Sequence, residues 1–321
     1  MFKKEKTKSL IALILGLLLV FGIYVNYRNL VLSPNQRKIG VTYMTMNNAF
    51  YKVVNAEVEK VADSKGDILY TRDPALSVEK QCQQVETFIS KKVDAIIINP
   101  VDSTSKQIVS VLKKAHKKGI KIIVVDSQLE DDSVADTTVV SDNYNAGVLD
   151  AQQMMSTVSQ ADILLLEHSE TLSAVDRIKG FMDTISGHDA YRIVARRESF
   201  GQTERAMPVV EGVIERETYF DVVMALNDQS ALGALAAIKE KNLSRKIYIY
   251  GVDGSPDMKN FLNTTNDVEA TVAQSPIAMG EKAITTTYQL LEGKKVDRLI
   301  TIPVSLITKE NISDYDVTGW Q

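Results

Sequence analysis

A chain of 321 residues, 45% of them hydrophobic, can bury a large core and exceeds the usual single-domain size, so two lobes or one domain plus an anchor are expected. Its 37 lysines and arginines stand against 41 carboxylates, for a formal charge of -4; that balance excludes the basic excess on which nucleic-acid binding rests. The only cysteine, Cys82, excludes an internal disulfide framework.

The chain opens on Lys3, Lys4, Lys6 and Lys8 and continues through an uncharged apolar run over residues 10–25. No small-x-small cleavage site follows the run and no lipid-accepting cysteine ends it. An uncleaved signal anchor is therefore expected ahead of a removed signal peptide. The run is slightly short of the roughly 20 apolar residues that a bilayer core requires, but Tyr24 and Tyr27 suit the interface. The positive-inside rule keeps the lysines in the cytoplasm and places everything after Ser33 outside, as a single-pass protein of the cell membrane.

After Pro34, short β-rich runs alternate with amphipathic helices, the pattern of a parallel α/β sheet. The runs fall at residues 39–44, 67–70, 95–99, 122–125, 163–166, 222–226 and 247–250. Residues 49–65 form a helix whose Val54, Val58 and Val61 share a face, and Cys82 lies on the apolar stripe of Val78, Val85 and Ile89 as a small buried hydrophobe. So many units predict two sheets rather than one. The polar stretch over residues 137–145 is where the chain can cross between lobes, and no low-complexity linker separates them.

In doubly wound sheets, ligands bind outside the carboxyl ends of the strands. The residues following the predicted strands are Asn47, Asn48, Phe50 and Tyr51; Asp126, Ser127 and Gln128; Asn227, Asp228 and Gln229; and Gly251, Asp253 and Gly254. Carboxylates and amides hydrogen-bond vicinal hydroxyls, and flat rings cover the C–H faces of a sugar. Taken singly, Asp or Asn after a strand serves equally well as a turn or helix cap. Three histidines, His116, His168 and His188, have no metal-ligand spacing; His168 follows a strand, where a surface or core place is expected ahead of one lining the cleft. Dinucleotide, Walker and Gly-x-Ser-x-Gly motifs are missing from the sequence, so no cofactor or catalytic nucleophile is expected. Asp126 and Asp253 could imitate a glycosidase pair, but nothing in the sequence sets them about a scissile bond.

Several segments carry a resemblance: Asn47-Asn48-Ala49-Phe50-Tyr51, Ile98-Asn99-Pro100-Val101-Asp102-Ser103, Ser141-Asp142-Asn143 and Arg177-Ile178-Lys179-Gly180-Phe181. They are followed by Asn227-Asp228 with Ala231-Leu232-Gly233-Ala234, then Gly251-Val252-Asp253-Gly254 and Ala270-Thr271-Val272-Ala273-Gln274. In this order they resemble the type 1 periplasmic binding proteins, most closely the ribose-binding proteins, over residues 37–307. The resemblance implies two Rossmann-like α/β lobes with parallel sheets joined by a three-strand hinge, preceded here by one transmembrane helix. It divides the chain into a tail, anchor and linker (1–36), an N-terminal lobe (37–141 plus 275–303) and a C-terminal lobe (142–274 plus 304–321).

It also implies a ligand site. Asn48 matches the hydroxyl-binding amide, Phe50, Tyr51 and Phe200 the stacking aromatics, and Asp126 the carboxylate after the fourth strand. Arg177 matches the guanidinium donor, while Asn227, Asp253 and Gln274 match the polar contacts of the second lobe and hinge. Three positions depart from the ribose pattern: Ser127 replaces an arginine, Val252 an aromatic and Met44 a serine. Ribose itself is thereby disfavoured within the expected class of monosaccharides and polyols. The same fold serves repressors that carry a helix-turn-helix where this chain has its apolar run. The expected function is a non-enzymatic receptor that closes over its ligand and signals to a membrane sensor such as a histidine kinase, with delivery to an ABC permease as the alternative.

Overall fold

The computed structural model describes residues 14–26 and 36–321. Residues 14–26 are helical and their side chains exposed. The expected membrane-spanning run lies partly outside the described residues. Among the described residues no helix is long and apolar enough to cross a membrane, so the transmembrane expectation finds no support here.

The remainder builds two six-stranded sheets whose first five strands are wound alike. The first contains β1 (Lys38–Thr42), β2 (Ile68–Arg72), β3 (Ala95–Ile98), β4 (Lys121–Val125), β5 (Thr137–Ser141) and β11 (Leu299–Ile302), in the order β11-β5-β4-β3-β1-β2. All its neighbours are parallel. The second contains β6 (Ala161–Glu167), β7 (Tyr191–Glu198), β8 (Val222–Ala225), β9 (Tyr248–Asp253), β10 (Ala270–Ala273) and β12 (Ser305–Thr308), ordered β12-β10-β9-β8-β6-β7. Only β12 runs antiparallel, against β10. In each sheet the winding reverses once, between β1 and β3 and between β6 and β8, and the strand ends there open the crevices in which such folds bind ligands.

The strands β3 (Ala-Ile-Ile-Ile) and β8 (Val-Val-Met-Ala) are apolar throughout because helices cover both faces of each sheet. Helices α1 (Ala49–Ser64) and α9 (Pro276–Leu291) pack together on one face of the first sheet, while α2 (Val78–Ser90) and α3 (Lys106–His116) cover the other. On the second sheet α4 (Asn143–Thr157) pairs with α5 (Leu172–Ile185), and α6 (Thr203–Glu215) with α7 (Asp228–Glu240). The remaining helix, α8 (Pro256–Thr264), lies between β9 and β10. Cys82 is half-buried against the first core rather than sealed within it.

The starts of these helices are set by side chains. Asn48, Ser105, Asp142, Asn227, Ser255 and Ser275 each accept a backbone N–H of the first turn. Helices α4 and α5 meet where Gly147 faces the Arg177 carbonyl and Gly180 the Tyr144 carbonyl; a Cβ at either position would overlap backbone. That close crossing carries Arg177 into the interior.

The chain passes from the first sheet to the second after β5, returns between β10 and α9, and crosses again between β11 and β12. A bond from the Asp142 amide to the Ile302 carbonyl, 2.9 Å, ties two of these crossings together.

Candidate functional site: a cavity between the two sheets

All of Asn48, Phe50, Tyr51, Asp126, Arg177, Phe200, Asn227, Asp253 and Gln274 line one cavity between the strand ends of the two sheets. Its walls lie close together and leave about 30 Å³ for water-sized occupants, space on the order of two water molecules.

On the side of the first sheet, Asp126 follows β4 and is held by its neighbours. Its Oδ2 accepts from the Tyr51 hydroxyl at 3.0 Å and from Asn99 Nδ2 at 3.2 Å. Asn99 Oδ1 also accepts the Met44 amide, so one side chain joins the ends of β1, β3 and β4. Tyr51 stacks on Tyr43 at 5.8 Å between centroids, and Phe50 meets it edge-on at 5.5 Å. Burial raises the Asp126 pKa, opposed by Arg177 and by the Tyr51 hydrogen bond. Asn48 spends its Oδ1 on the Phe50 amide as the α1 cap; its amide nitrogen remains for a ligand.

On the opposite side, Arg177 is 4% exposed. Its Nε donates to Asn143 Oδ1 at 2.8 Å and its Nη1 to the Leu226 carbonyl at 3.0 Å, with Asp253 Oδ1 at 3.9 Å. Asp253 Oδ1 accepts from Gln274 Nε2 at 2.7 Å. Burial, with Asp228 beside it, pushes the Asp253 pKa well above the usual carboxylate range, and Arg177 opposes the shift. Asp228 lies behind the site, bonded to Thr271 Oγ1 and the Ser255 amide. Asn227 is largely committed: Oδ1 caps α7 through the Ser230 amide and Nδ2 donates to the Gly201 carbonyl.

His168 also lines the cavity. Burial lowers its pKa to about 4, so it is neutral near pH 7. Its ring meets Phe200 edge-on at 5.4 Å, and the Arg205 guanidinium covers Phe200 at 4.9 Å. Thr171, Ser173 and Gln202 complete the polar lining without any signal in the sequence. The side chain of Trp320 touches Phe50 from outside at 5.8 Å, a contact no motif announced.

Three non-glycine lining residues have positive φ: Asp126 at 65°, Phe200 at 55° and Asp253 at 145°. Non-glycine residues hold such angles at a cost of about 1–3 kcal/mol, and sites of function are where they cluster. Among the described residues no donor reaches Asp126 Oδ1 or Asp253 Oδ2, and Arg177 Nη2 donates to no acceptor. These free groups, with aromatic faces beside them, suit a compact neutral molecule rich in hydroxyls.

Paired α/β sheets whose first five strands are wound alike, joined by three crossings and holding a polar cavity between their strand ends, define a two-lobed solute-binding class. The periplasmic binding protein domain model matches residues 39–295, and the chain belongs to that family, in its type 1 form, of extracytoplasmic binding proteins rather than enzymes. It is 30% identical over 282 residues to the ribose import binding protein of Bacillus subtilis, covering 87% of this chain and 90% of that protein. Among solved structures, the binding protein of the arabinose ABC transporter from Shewanella sp. ANA-3, bound to L-arabinofuranose, superposes with a TM-score of 0.79 at 30% identity, covering 86% of this chain and 93% of that one. An ABC transporter solute-binding protein from Bacillus halodurans with bound myo-inositol gives 0.82 at 25% identity, covering 88% and 98%.

Proposed function

We propose that this protein is the binding component of an ABC importer for a small neutral sugar or polyol. It would hold the ligand through Asn48, Phe50, Tyr51, Asp126, Arg177, Phe200, Asn227, Asp253 and Gln274. The observation that carries this reading is the set of free carboxylate and guanidinium atoms facing a ring-lined cavity shared by both sheets. Only the expected anchor favours signalling to a membrane sensor. Relatives named for ribose import and arabinose transport favour delivery to a permease. Ribose is disfavoured as ligand because Ser127, Val252 and Met44 stand where ribose-binding proteins carry an arginine, an aromatic and a serine.

The proposed lobes are residues 37–141 with 275–303 and residues 142–274 with 304–321, limits supported by the strand membership of the two sheets. Tethering through residues 10–25 is part of the proposal, supported by the lysine-rich start and the lack of a cleavage motif. Amino-terminal sequencing of native protein tests it; a mature start after Val25 would remove the anchor.

The function is tested by calorimetric titration of the part after Ser33 against pentoses, hexoses and polyols, with small-angle scattering on any that bind. One sugar or polyol is expected to bind, to compact the protein, to raise its melting temperature by mass action and to be recovered unchanged. A ligand that is converted, or a panel in which nothing binds, would defeat the reading.

A further inference from the structure

We propose that Ser103 and Ser127 form a latch that favours the closed arrangement of the lobes without touching the ligand, and so set its affinity. The proposal goes beyond the ligand class and uses only the two-lobed architecture. The first turn of any helix leaves backbone N–H groups without intrahelical partners. For α5, on the second sheet, the cap residue Thr171 provides no side-chain cap bond. Those N–H groups are satisfied from across the cleft. The Leu172 amide donates to Ser103 Oγ at 3.1 Å and the Ser173 amide to Ser127 Oγ at 3.1 Å. The two hydroxyls, which follow β3 and β4 of the first sheet, are themselves 3.1 Å apart, and both serines are fully buried.

Two further bonds join the same rims: the Ser103 amide donates to the Glu170 carbonyl at 2.8 Å, and Gln128 Nε2 to Asp176 Oδ2 at 2.8 Å. Neither Ser103 nor Ser127 lines the cavity, although Ser127 occupies the position where the ribose-binding proteins have arginine. The departure at this position thus exchanges a ligand-facing charge for a bond between lobes. Opening must return the α5 amides to water, so these bonds weight the equilibrium toward closure whatever fills the site. Apparent affinity scales with the fraction of the binding-competent form, and the latch raises that fraction.

The test reads closure in the ligand-free protein, through hydrogen exchange at the amide of residue 103. That amide bonds across the cleft and is retained in every variant. In Ser127→Ala its exchange is expected to quicken roughly fivefold, the equivalent of one net hydrogen bond. A further acceleration is expected when Ser103→Ala is added, and Ser127→Thr should restore protection. The Asn99 amide, bonded within the first sheet to the Thr42 carbonyl, is the control and should not change. Wild-type exchange at residue 103 in Ser127→Ala, or no protection there in the ligand-free wild type, would overturn the latch. Because no ligand is added, neither result depends on whether a sugar binds.

Discussion

On the first-sheet wall of the cavity, Asp126 is held by Tyr51 and Asn99, and those partners are fixed in turn by Tyr43 and the Met44 amide. On the opposite wall a single guanidinium, Arg177, faces Asp253 directly and offsets the charge of Asp126, Asp150 and Asp228 from further away. One wall is organised by hydrogen bonds from neutral partners and by stacking; the other depends on one cation among several buried carboxylates. Pre-organisation by neutral groups survives the loss of a partner better than a buried charge balance does. The two walls should therefore fail differently when their central residues are removed.

The largest effect is expected on the charged wall. Arg177→Ala removes both the bonds to Asn143 and Leu226 and the offset to the carboxylates. Loss of about 3 kcal/mol or more of stability should accompany loss of binding, read by denaturant unfolding and calorimetry. A variant as stable as wild type would show that the walls do not differ in this way.

Asp126→Gly should behave in the opposite manner. Glycine accepts the φ of 65° without strain, so stability should hold or rise while binding weakens at least about 30-fold, the equivalent of ~2 kcal/mol for a lost charged hydrogen bond. Unfolding midpoints and titration of the same preparation check both halves. Binding within threefold of wild type would remove Asp126 from the site.

This contrast also marks what the sequence made legible. The alternation of β-rich runs and amphipathic helices reveals the two-sheet class because parallel strands covered on both faces must be apolar, as the residues of β3 are. The edge strand β7 escaped notice because solvent reaches it and its Arg192, Arg196 and Arg197 break the hydrophobic signal. Likewise β5, a fully buried Thr-Thr-Val-Val-Ser, reads in sequence as a polar crossing. Within the site, residues after strands were found by position, but their division of labour was not. Asn227 Nδ2 is consumed by the Gly201 carbonyl, and the α5 amides find their partners on another lobe. Such pairings join residues tens of positions apart and leave no local pattern. Positive φ at Asp126, Phe200 and Asp253 is likewise imposed by tertiary structure.

The smallest expected effect sharpens the same comparison on its charged side. Asp150, on α4, is fully buried and neither carboxylate oxygen has a hydrogen-bond partner among the described residues. Burial, then the neighbouring Asp228, drives its pKa well above the ordinary value, with Arg177 opposing. A carboxyl whose folded pKa is raised binds its proton more tightly in the folded state. Its contribution is fully present below the unfolded pKa, near 3.9, and is lost as pH rises through the folded value. Asp126, Asp228 and Asp253 are shifted in the same direction, so the ligand-free protein should melt at a higher temperature at pH 5.5 than at pH 8. Asp150→Asn keeps the shape and removes one ionisation. It should raise stability at pH 8 by about 1 kcal/mol, a shift of roughly 2 °C for a protein of this size, and narrow the gap between the two pH values. Scanning calorimetry of both proteins at both pH values decides it. If the Asp150→Asn protein melts below wild type at pH 8, the Asp150 carboxylate is stabilising as an anion, and Arg177 offsets more negative charge than its direct contacts suggest.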